Sequence, residues 1–135
     1  MSLRAIPLIA IAFFFYWMIV AASGEEGLAA SIMEPTLLSG GVWKFTWGDL
    51  ILLATLILLF VEVVKATYTS TSTMIDHGLS MVLFIICLIA FLMVPQASNS
   101  VFFLILAATL IDVVAGYTIG IRVARRDLSI GGGEH

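Results

Sequence analysis

V-F-F-L-I-L-A-A-T-L-I-D-V-V-A-G-Y-T-I-G-I-R-V-A-R-R-D, residues 101–127, is a long apolar run that ends in a basic cluster. Crossing the hydrocarbon core of a bilayer takes about 20 helical residues, and residues 101–121 supply that length. Arg122, Arg125 and Arg126 follow at once, where they anchor the end of the helix among headgroups and keep it from sliding into lipid. The stretch reads as a transmembrane helix with one anomaly, the carboxylate of Asp112 near its middle.

Working outward, three more segments have the same character: residues of about 5–22, 48–66 and 78–95. None shows the strict alternation of a barrel strand, so helices are the spanning element. Composition agrees. The chain is 61% hydrophobic and 11% charged, where a soluble domain carries about 25% charged residues. Its mean hydropathy is +1.15. The fold expected is an all-α integral membrane protein, a single domain over residues 1–135 with four transmembrane helices in an antiparallel bundle. An outer loop at 23–47, an inner loop at 67–77 and a tail at 122–135 complete it.

The first segment also has features of a secretory signal: Arg4 precedes it and V-A-A-S closes it. Its apolar run is long for a signal core and carries the bulky F-F-F-Y-W, so it is read as a retained helix. Orientation follows from the basic residues. Arg4, Lys65, Arg122, Arg125 and Arg126 fall on the side shared by both termini and the inner loop. Lys44 falls on the other side with Glu25, Glu26, Glu34 and Asp49. The positive-inside rule makes both termini cytoplasmic, as in a multi-pass protein of a bacterial inner membrane.

Within the outer loop, Leu28–Leu38 is expected as a short interfacial helix broken at Pro35, with Trp43 and Trp47 as interface anchors. In the inner loop, Thr73 and Asp76 have the spacing of a capping box ahead of a helix that His77 opens. The tight turn P-Q-A-S-N-S forces the third and fourth segments into a hairpin.

The polar residues at membrane depth carry what function the sequence expresses. Asp112 lies nine residues before Ile121, roughly 13 Å deep at 1.5 Å per residue. An ionised Asp there costs about 2.5–3.5 kcal/mol on insertion scales, so it must face protein or a wet cavity. On this reading no Lys, Arg or His reaches that depth, and its partner is an ion, water, another polar side chain or another subunit. Ala108, Asp112, Gly116 and Gly120 recur every four residues and form a small-residue packing face, with Thr109 beside it. Glu62 sits roughly one helical turn inside the second segment, where Lys65 pairs with it across i,i+3. His77 and Ser80 continue a polar side toward the interior of the third. Asp112, Glu62, Thr109, His77 and Ser80 are therefore the candidate ion or proton site.

Other chemistry is poorly represented. Cys87 is the single cysteine, and no metal-ligand spacing, P-loop or dinucleotide-binding glycine pattern occurs. With only His77 and His135, a self-contained b-type haem lacks axial ligands. No catalytic residues, metal or cofactor are expected, and no nucleic-acid partner. Two readings of function remain. The first is a small non-catalytic membrane subunit that packs into a homo-oligomer or larger membrane complex, with anionic lipids drawn to the C-terminal arginines. The second is a small transporter or channel for protons, cations or a small cationic solute that works through Asp112.

Overall fold

A computed structural model describes residues 7–65, 67 and 71–132; side chains at 71–77, 120 and 122–132 lie outside the description. Among the described residues the chain is mainly helical. The four helices are α1 (Ile9–Ser23), α2 (Trp47–Lys65), α3 (Thr71–Met93) and α4 (Ser100–Gly132). Two of them, α2 and Ser100–Ile119 of α4, are long and apolar enough to cross a membrane. The apolar stretches of α1 and α3, Ile9–Ser23 and Gly78–Met93, are shorter.

Local chemistry sets the helix starts. Pro7 precedes α1, where its missing N–H costs nothing because the first turn of a helix has no intrahelical acceptor to offer. At α2, the Thr46 hydroxyl accepts from the Asp49 amide and the Asp49 carboxylate accepts from the Thr46 amide, both at 3.1 Å. This is a capping box on T-W-G-D. At α4, Asn99 is the cap: its side-chain oxygen accepts from the Phe102 amide at 3.0 Å.

Packing directions follow from specific contacts. The Leu8 amide, at the start of α1, donates to Glu62 near the end of α2, so these two helices run antiparallel. Gly48 and Val101 lie against one another, so α2 and α4 start at the same end and run the same way. Phe91 stacks on Phe102, centroids 6.4 Å apart, which fixes α3 and α4 as an antiparallel hairpin. Helix α4 packs against α1, α2 and α3 and is the hub of the bundle. The core is apolar and aromatic: Tyr16, Phe102, Ile51, Ile105 and Cys87 are all fully buried. Outward, α2 alone exposes Leu53, Leu56, Ile57, Phe60, Val61 and Val64. An apolar exterior of this kind is unusual in water and ordinary in lipid.

Several expected boundaries are corrected. The segment 28–38 is not a helix. A 3-10 turn spans Glu25–Ala29, and β1 (Ser31–Met33) then pairs antiparallel with β2 (Phe45–Thr46). A bridge between Thr36 and Val42 extends the ribbon, whose turn contains Gly40 with φ of +89°. Helix α3 starts at Thr71, not Gly78, so the inner connection is shorter than 67–77 and Thr73 is within the helix rather than its cap. His77 stands in the second turn. Helix α4 continues to Gly132, so Arg122, Arg125 and Arg126 belong to the helix body and not to its last turn. The expected first span began at residue 5; residues 5 and 6 lie outside the described residues.

Candidate functional site: a buried polar seam

Five polar side chains are buried in the described bundle: Thr55 and Glu62 on α2, Ser80 on α3, Thr109 and Asp112 on α4. Each is at least nine-tenths buried, and burial of a polar group without a partner costs several kcal/mol in an apolar medium. The hydroxyls of Thr55 and Thr109 donate to the carbonyls of Ile51 and Leu106 at 2.7 and 2.6 Å. Both are satisfied by the turn of helix that carries them.

Glu62 acts between helices. Its Oε1 accepts from the Leu8 amide at 2.6 Å, one of the amides that α1 itself leaves without an intrahelical acceptor. The negative charge also stands at the positive end of the α1 dipole. Lys65 lies 3.4 Å from the same oxygen, a longer contact. The i,i+3 pair expected from sequence is present, yet the α1 amide is the nearer partner.

The relation of Asp112 to Glu62 follows from helix periodicity. Val101 marks the face of α4 that meets Gly48 of α2. Asp112 comes eleven residues later, about three full turns, and so returns to that face. On α2, Thr55 and Glu62 follow Gly48 by seven and fourteen residues, two and four turns with a drift of about 40°. The two carboxylates thus belong to facing surfaces of α2 and α4, about one turn apart in level. Ala108 and Gly116 are buried on the same side of α4 as Asp112; the side chain position at 120 lies outside the described residues.

On α3, Ser80 is buried on the face that carries Phe91, three turns away, and so is turned to α4. The early start of α3 matters here. With Phe91 opposite Phe102, the backbone of His77 falls at the level of Gly116, one turn from Asp112. The His77 side chain is outside the described residues, as are those of Arg122, Arg125 and Arg126, so the expectation that no basic side chain reaches Asp112 falls on residues outside the description.

At the opposite end lies a polar knot built on Tyr16. The Tyr16 hydroxyl donates to the Gln96 carbonyl and accepts from the Asn99 amide group, both at 2.6 Å. Its ring packs edge-on to Phe102 at 5.1 Å. One tyrosine of α1 is thereby tied to the α3–α4 turn and to the residue that caps α4. Between knot and seam, Phe102, Ile105 and Ile51 form an apolar plug. Trp47 is partly exposed at the start of α2, and Trp43 is partly exposed on the ribbon against Phe45 at 5.1 Å.

Among the described residues, no group of three or more His, Cys, Asp or Glu side chains is arranged to hold a metal ion. A surface cleft of about 450 Å³ between α1 and Trp47 has walls that are nearly all apolar. Compared with protein-family models, curated proteins and solved structures, the chain matches none.

Proposed function

We propose that this chain is a small non-catalytic integral membrane subunit, with four spans and both termini cytoplasmic, that packs into a homo-oligomer or larger membrane complex. The observation that carries the reading is the use of its interior polar groups. Glu62 accepts from the Leu8 amide and so ties α2 to the start of α1, while Thr55 and Thr109 are satisfied within the helices that carry them; polar groups used in this way serve the cohesion of the bundle. The arginines 122, 125 and 126 sit where the cytoplasmic leaflet begins and attract its anionic lipids. Setting is a multi-pass bacterial inner-membrane protein, on the distribution of basic residues.

A second reading has one observation in its favour. Asp112 and Glu62 lie on facing surfaces, about one turn apart, and two carboxylates with the buried hydroxyls of Thr109 and Ser80 are parts of a cation or proton path, to which the sequence adds His77 as a candidate.

Native mass of the protein extracted in mild detergent tests the first reading. The expected result is a multiple of the 14.6 kDa chain, or that chain with a co-purifying partner. A lone chain in detergent and in lipid nanodiscs alike would sink it.

A further inference from the structure

The ribbon between α1 and α2 ends in a tip that has no cover. Leu38 is fully exposed, and Leu37, Val42 and Trp43 are each about half exposed. The tip is a built turn and not a loose loop. The Leu37 amide donates to the Gly41 carbonyl at 2.7 Å, the Gly40 amide to the Leu37 carbonyl at 2.9 Å, and the Trp43 amide to the Pro35 carbonyl at 2.9 Å. Gly40 takes the positive φ the turn requires. An ordered hairpin that presents leucines outward needs something apolar against them.

Charge is distributed along it in two zones. Residues 35–43, P-T-L-L-S-G-G-V-W, contain no ionisable side chain. Immediately below stand Glu34 and Lys44, which the register of Met33 with Phe45 and of Thr36 with Val42 places opposite one another. The hairpin has a charged collar of zero net charge and an uncharged, apolar end. Trp43 lies at the border between the zones. Beyond the collar the ribbon runs directly into Trp47 at the start of α2, the helix whose length and apolar surface suit a bilayer. Tryptophans mark the headgroup level, because the ring is apolar and the N–H polar.

We infer that the hairpin tip, Leu37, Leu38, Val42 and Trp43, is seated in the outer leaflet of the bilayer, with Glu34 and Lys44 held at the headgroups. The exposed apolar groups lie on both arms and on the turn, a distribution that suits an all-round apolar solvent better than one protein face. The tip's own turns satisfy part of its polar backbone, with the amides of Leu37, Gly40 and Trp43 on carbonyls and the Gly41 amide on the Ser39 hydroxyl, which reduces the cost of entering the interface. The inference rests on the membrane reading above, and makes the outer segment a second anchor set against the arginine-rich end of α4.

The test places an environment-sensitive fluorophore by thiol chemistry on L38C, and separately on L56C, in the full chain reconstituted into phosphatidylcholine vesicles. Cys87 is fully buried, so wild type serves as the labelling blank. Leu38 and Leu56 are exposed, so neither variant disturbs the core. Bromines on the lipid acyl chains are compared with aqueous iodide as quenchers. The L56C probe, midway along α2, reports on the membrane reading itself and should be quenched by the lipid. If it is, and the L38C probe also loses most of its emission to brominated lipid while iodide leaves it bright, the hairpin is in the leaflet. Quenching of the L38C probe by iodide and not by lipid would overturn the inference. Shielding from both would overturn it too, because the cover would then be protein: a second copy or a partner.

Discussion

Glu62 brings a carboxylate into a bundle of hydrocarbon and sets it on the first amide of another helix, the Leu8 N–H at 2.6 Å. Replacing it with alanine leaves that donor without its acceptor at a partly buried position, which costs about 1 kcal/mol or somewhat more. Glutamine keeps an oxygen in reach and gives up only the charge. The expected order of stability in detergent, read by thermal unfolding, is therefore wild type, then E62Q, then E62A. If E62A melts with wild type, the Leu8 contact does not hold α1 in place. Sequence showed the other half of this arrangement, the Lys65 partner three residues on. It could not show the α1 amide, because a contact across fifty-four residues leaves no local pattern. The same is true of Tyr16, whose hydroxyl meets a turn eighty residues away.

Helices were legible where hydropathy defines them and less so where they leave the apolar zone. The second span was expected at 48–66 and α2 is Trp47–Lys65. In contrast, α3 starts seven residues before Gly78 and α4 runs eleven beyond Ile121, since polar sequence can continue a helix that lipid did not require. The ribbon at 31–46 had a signal that the helical reading passed over: S-G-G between L-L and V-W is turn chemistry, and Gly40 takes a positive φ there. The T-W-G-D capping box was equally plain by the rule applied to Thr73 and Asp76. At this scale the critical contact is α2 on α4. A Cβ on Gly48 would stand 2.9 Å from Val101 Cγ2 and 3.1 Å from the Leu28 carbonyl oxygen. Val101 is β-branched and stiff, so G48A should cost about 1–3 kcal/mol by overpacking. The double variant G48A/V101A should recover part of this, not all, because the Leu28 oxygen stays. Circular dichroism melts of the three proteins decide it, and equal melting points would mean the helices have room to part.

For the whole molecule, α4 is the hub, and what it holds at its centre separates the two readings of function. A subunit whose interior polar groups serve the bundle needs Asp112 for cohesion. A transporter needs it for the passage of charge. Sequence located this carboxylate and its small-residue face, since Ala108, Asp112 and Gly116 repeat on one strip; it did not bring Glu62 to the facing strip of α2, which depends on how α2 and α4 are aligned. The most direct measurement is proton and cation flux through liposomes carrying wild type or D112N, with native mass and melting temperature taken on the same samples. The structural reading predicts no flux from either protein above empty liposomes, together with a lower melting temperature or an altered assembly for D112N. Flux through wild type that D112N abolishes, at unchanged mass and stability, would contradict it and make Asp112 a transport residue.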